Sequence, residues 1–172
     1  MHDTRVWFDR YLEDARAGLK DPPPHGILYT CPCCGYPMLT ERDGYEICHL
    51  CFWEDDGQDD PHADERWGGP NGRYTLTEAR QNFLKYWNMF SPDDHHFQPP
   101  MGELLRSSPA ELEAKRSIVQ AFNQMPTSPP EGIQALWEMV EHGLNALQAE
   151  SNRKHSEFAL KHKQDAHGKQ DE

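Results

Sequence analysis

Five cysteines crowd two short stretches of the chain, Cys31-Pro32-Cys33-Cys34-Gly35 and Cys48-His49-Leu50-Cys51. Taken as Cys31-x-x-Cys34 and Cys48-x-x-Cys51, they form two knuckles with thirteen residues between them. Each Cys-x-x-Cys turn delivers two thiolates to one side of a metal, and two such turns supply the four donors of a tetrahedral zinc ion. A redox dithiol and a chance cluster of buried thiols are the competing readings, and the two-knuckle spacing favours zinc over both. Four cysteine ligands close the coordination sphere, so a zinc held this way is structural rather than catalytic. Gly35, just after the first pair, permits the positive φ that turns backbone amides toward the sulfurs. Cys33 is the odd thiol. It either replaces a neighbour as ligand or sits beside the site, and the second is preferred. A sphere of three cysteines with His49 is the lesser alternative, because the outer cysteines already have the right spacing.

The residues around the knuckles read as an α+β arrangement, a small zinc-ribbon-like β-hairpin module packed with four amphipathic helices. Residues 4 to 19 place Phe8, Tyr11, Leu12, Ala15 and Leu19 at helical spacing, and Asp21-Pro22-Pro23-Pro24 is expected to end that helix. Ile27 to Thr30, Met38 to Thr40 and Tyr45 to Cys48 read as short strands, with Asp43-Gly44 as the hairpin turn. Thr75 and Glu78 make a capping box for a helix running to Phe90, with Leu76, Ala79, Phe83, Trp87 and Phe90 on one face. Residues 97 to 108 read as a linker. Ser108-Pro109-Ala110-Glu111 and Ser128-Pro129-Pro130-Glu131 then start two further helices, expected to pair as an antiparallel hairpin. The resulting organisation is an N-terminal helix at 1–24, a zinc module at 25–92, a helical region at 93–165 and a disordered tail at 166–172.

Composition bounds the function. At 172 residues, 36% hydrophobic and with 14 prolines, the chain has room for one domain or for a small metal module with a helical partner. No apolar run approaches a membrane span, and the first residues have neither a basic region nor an apolar signal core. An odd number of cysteines in metal spacing then fits a reducing cytoplasm. Seventeen basic residues stand against 29 acidic ones, a net charge of −12. Direct nucleic-acid binding is disfavoured, since it depends on neutralising phosphates with Lys and Arg. A basic protein partner is favoured.

Seven carboxylates fall within twelve residues, Glu54, Asp55, Asp56, Asp59, Asp60, Asp64 and Glu65, and their mutual repulsion predicts a solvated loop. Beside Trp53 it offers a surface for Arg and Lys of a partner, with Trp53, Glu54, Asp55, Asp56, Asp59 and Asp60 as contacts. The competing reading is a loop that only braces the knuckle. His95-His96 beside Asp93-Asp94 is read as solvated rather than as a metal site. Carboxylates near His62 or His95 are likewise no specific sign of a hydrolase.

Residues 27 to about 90 resemble the bacterial cysteine-rich CPCC domain family. The resemblance is carried by Cys31-Pro32-Cys33-Cys34-Gly35-Tyr36, Tyr45 through Gly57, Gly69-Pro70-Asn71 and Leu76 through Phe83. It implies a zinc-ribbon-like domain, and no settled activity comes with it. From its acidic surplus, its closed metal site and its lack of a catalytic constellation, the chain is expected to be a non-enzymatic protein-binding module, foremost an immunity protein that occludes a basic toxin such as a nuclease. The alternative is an adaptor on transcription or translation machinery.

Overall fold

The structure, a computed structural model, describes residues 2–26, 28–94 and 102–167. Its elements in chain order are helix α1 (His2–Arg16), strands β1 (Tyr29–Thr30) and β2 (Pro37–Leu39), then helices α2 (Leu76–Tyr86), α3 (Gly102–Leu105), α4 (Pro109–Gln124) and α5 (Pro130–His167). Among the described residues no helix is long and apolar enough to cross a membrane.

Helix α1 stops earlier than its proline run predicts. Gly18 takes φ 72°, its N–H donates to the Ala15 carbonyl, and the Leu19 N–H reaches back to Asp14. This pair of bonds satisfies the last carbonyls of the helix through a left-handed glycine. Leu19 is consequently 74% exposed and no part of the apolar face.

The strand pairing also differs from the expected hairpin. β1 pairs antiparallel with β2 across the first knuckle, Tyr29 opposite Leu39. Residues 45–48 pair not with β2 but with residues 53–55 across the second knuckle: the Tyr45 N–H donates to Asp55, Asp55 to Glu46, and Cys48 to Trp53. Each Cys-x-x-Cys turn is itself tight enough to bring its flanks together. Asp43-Gly44 is left as the connection between two small hairpins, with Asp43 and Tyr45 at φ 60° and 59°.

Helix α2 carries its capping box as predicted, the Glu78 N–H donating to Thr75 Oγ1 and the Thr75 N–H to the Glu78 carboxylate. It ends at Tyr86, four residues before the apolar pattern does, because Trp87 turns left-handed with φ 60°. Ser108 and Glu111 cap α4 in the same reciprocal manner. α4 and α5 pack against each other as the expected pair. The expected linker contains one helical turn, α3. α5 outruns its apolar pattern and continues to His167. Its outer half is tied down by Lys154, which donates to the Leu104 and Arg106 carbonyls and pairs with Glu111. Ile27, His95, His96, the first part of the 97–108 linker and residues 168–172 of the expected tail lie outside the described residues.

One apolar core joins all these parts. Phe8 of α1 meets the edge of Phe122 of α4 at 5.3 Å, Phe122 meets Trp137 of α5 at 5.7 Å, and Tyr36, just after the first knuckle, stacks on Phe122 at 5.2 Å. Phe83 of α2 reaches the same Tyr36 ring edge-on. Burial of such aromatics outweighs most other contributions in a chain this polar.

Candidate metal centre

The two knuckles have one backbone design. The Gly35 N–H donates to the Cys31 carbonyl, and the Phe52 N–H donates to the Cys48 carbonyl, each at 2.8 Å. Gly35 has φ 77° and Phe52 has φ 68°, so the residue following each second cysteine is left-handed. Glycine meets that demand freely, whereas phenylalanine does so at a cost of about 1 kcal/mol or more. The ring must therefore be wanted where it stands.

These turns aim all four outer thiols at one point. The Sγ atoms of Cys31, Cys34, Cys48 and Cys51 lie within 4.8 Å of one another, and each of the four residues is fully buried. Cys31 and Cys51 are 3.7 Å apart, Cys34 and Cys48 3.8 Å. A tetrahedron with metal–sulfur bonds of about 2.3 Å has edges of about 3.8 Å. The four cysteines are thus placed to hold a single metal ion with no position left open. Cys33 is buried beside them but outside the set of four. Burial pushes its thiol up, toward the neutral form, and its contact with Cys51 adds to the shift. His49 is exposed and lines a cleft of about 290 Å³ with His25, Phe52 and Leu144, which takes it away from the metal position.

Neighbouring elements hold the knuckles in place. Arg80 of α2 donates from Nε to the Pro32 carbonyl at 2.9 Å, and the Met89 N–H donates to the Cys51 carbonyl at 2.8 Å. Asn71, from the Gly69-Pro70-Asn71 turn, accepts from the Glu54 N–H and donates to the Glu54 carbonyl, copying a strand partner with its amide. Trp53 fills the space behind the second knuckle and is fully buried.

The acidic segment is not the free, solvated loop its charge predicts. Asp55 is fully buried, accepting from Arg42 Nε and from the Asp43 N–H, both at 2.9 Å. Asp59 takes both terminal nitrogens of Arg5 and one of Arg42. Asp60 pairs with Arg80 at 2.5 Å. Asp56 accepts from Asn71 and from the Gln58 N–H. Three arginines from α1, the knuckle connection and α2 thus neutralise much of the segment and fold it inward. Of the expected partner contacts, Trp53 and Asp55 belong to the interior, Glu54, Asp56 and Asp59 are half-buried, and Asp60 alone is exposed. Asp64, Glu65 and Trp67 stay on the surface next to it, with His62 Nδ1 against Glu65 at 3.0 Å.

Lys115 of α4 is the member of this neighbourhood that periodicity gives no reason to suspect. It is fully buried, with Nζ donating to the Trp87 carbonyl at 2.8 Å and to Ser107 Oγ at 3.1 Å. The ammonium also lies 4.6 Å from the centre of the Phe52 ring. Burial lowers its pKa to about 8, against the opposing fields of Cys51, Glu111 and Cys48.

Residues 29–103 match the family model described as Cysteine-rich CPCC, covering both knuckles, the braced acidic segment and α2. No curated protein and no solved structure matches the chain.

Proposed function

We propose that this chain, whose residues 29–103 form a domain of the cysteine-rich CPCC family, is a non-enzymatic, zinc-stabilised module that acts by binding a basic protein, most specifically as an immunity protein for a basic toxin such as a nuclease. The reading rests on one observation above the others: all four thiols of the metal centre are buried and mutually spaced for a closed tetrahedron. A closed tetrathiolate sphere adds folding free energy and leaves no site for a substrate or a water nucleophile. Zinc is the ion of choice for four thiolates in tetrahedral array. The surplus of negative charge that remains after the Arg5, Arg42 and Arg80 pairings favours encounter with a basic partner and slows with added salt.

The surface for that encounter is the outer rim of the acidic segment, Asp60, Asp64 and Glu65 with the exposed Trp67, rather than the buried Trp53 and Asp55. Co-expression with a basic nuclease toxin encoded beside this chain is the direct experiment. Rescue of growth and a salt-sensitive complex on gel filtration are expected. Replacing Asp60, Asp64 and Glu65 together by their amides should weaken that complex roughly tenfold or more while leaving zinc content intact. No association at low ionic strength between zinc-loaded protein and such a nuclease would overturn the proposal.

A further inference from the structure

A buried ammonium needs an anion, and Lys115 feels the Glu111 carboxylate only through its field, without an ion pair. Among the described residues no carboxylate pairs with it; Glu111, one turn earlier on α4, gives its Oε2 to Lys154 at 2.8 Å and to the Ser108 N–H. The partners of Lys115 are instead the neutral Trp87 carbonyl, the Ser107 hydroxyl and the Phe52 ring. Such a group is strongly unfavourable unless an opposite charge lies nearby. Two of these three neighbours, Phe52 and Trp87, lead to the second knuckle. Phe52 directly follows Cys51 and is held in a left-handed conformation that brings its ring beside the ammonium. The strand of chain that supplies the Trp87 carbonyl also donates the Met89 N–H to the Cys51 carbonyl.

We infer that Lys115 is the counter-charge of the metal centre, so that metal binding and the docking of the α4–α5 pair onto the knuckles are one linked equilibrium. The inference rests on reading the four cysteines as a divalent-metal site. Four thiolates around one dication make a complex of net charge −2. The ammonium belongs to α4 and that charge to the knuckles, so their attraction acts across the junction of the two parts. The metal therefore stabilises the C-terminal helices although no residue of α4 or α5 coordinates it, and those helices in turn tighten the metal. The Phe52 ring, on the residue after Cys51, presents its electron-rich face to the ammonium. This accounts for a phenylalanine where glycine would relieve the backbone.

The test uses the full chain and cobalt(II), whose thiolate charge-transfer bands report the four-sulfur sphere, with zinc competition giving affinity. Lys115→Met removes charge and hydrogen bonds together; Lys115→Gln removes the charge but retains a donor for the Trp87 carbonyl. Both variants should show the wild-type cobalt spectrum and a metal affinity lower by roughly ten- to hundredfold, the range for groups that tune a metal from outside its ligand set. Both should also lose more thermal stability with metal bound than with metal chelated. Wild-type affinity in either variant, or restoration by glutamine alone, would overturn the counter-charge role and leave Lys115 a hydrogen-bonding strut. If neither variant folds, hydrogen exchange in the wild-type chain decides. Chelation should deprotect residues 112–122 of α4, and unchanged protection there overturns the linkage. Absence of any cobalt–thiolate band in wild-type protein would instead sink the metal reading itself.

Discussion

Arg5 grips Asp59 with both terminal nitrogens, at 2.8 and 2.7 Å, across fifty-four positions of sequence. The pair fastens α1 to the acidic segment. Burial alone would raise the Asp59 pKa, but the hydrogen bonds and charge of Arg5, with help from Asp60 N–H and Arg42, hold it well below the usual carboxylate range. A carboxyl depressed in the folded state contributes stability that is fully present above its unfolded value of about 3.9 and is lost as pH falls toward the folded value. Arg5→Ala should cost about 1–3 kcal/mol at neutral pH. Asp59→Asn should flatten the loss of melting temperature below about pH 4, relative to wild type. An unchanged acid limb in that variant would show that the pair contributes little.

Asp55 separates bracing from binding. Its carboxylate is fully buried against Arg42 and the Asp43 N–H, so Asp55→Asn should lower stability to urea by about 2 kcal/mol or more, with zinc content and surface charge contacts otherwise preserved. Loss of partner association without loss of stability would return Asp55 to the surface role first expected of it.

Cys48→Ser should reduce bound zinc from about one per chain to a small fraction and lower the melting temperature steeply, because metal-binding energy is folding energy at such a site. Cys33→Ser should leave zinc stoichiometry unchanged, since Cys33 lies outside the set of four converging thiols. Metal analysis of the two purified variants checks both statements. Retention of zinc by a Cys31/Cys48 double replacement would refute the ligand set.

Gly143 of α5 lies close against Ile118 and the Ala114 carbonyl of α4. A Cβ added there would come within 2.5 Å of Ile118 Cγ1, deep in the fully buried interior. Gly143→Ala gains about 1 kcal/mol of helix propensity but overpacks the core by about 1–3 kcal/mol. A net loss on the order of 1 kcal/mol is expected by chemical denaturation. Ile118→Val in the same chain should recover part of it.

The local signals were readable: Cys-x-x-Cys spacing, the Thr75/Glu78 and Ser108/Glu111 capping boxes, and the pairing of two consecutive amphipathic helices all depend on residues a few positions apart. What escaped depends on distant chemistry. Seven carboxylates within twelve residues look solvated until Arg5, Arg42 and Arg80 arrive from three other elements. Lys115 stands beside Ala114 in a helical repeat and reads as a surface lysine, because nothing local reveals that the second knuckle sits above it. The pairing of residues 45–48 was misplaced because Asp43-Gly44 is a good turn by composition, yet the cysteine turns fold the chain back more sharply.

The stacking of Tyr36 on Phe122 sets the unit of folding apart from the unit of family likeness. Tyr36 lies inside residues 29–103, but the ring that covers it, and Trp137 beyond, come from sequence outside that segment. A fragment cut to the matched residues would keep its thiols and lose the roof over its largest aromatic cluster. It would be expected to aggregate, or to recruit another helical pair in place of α4 and α5.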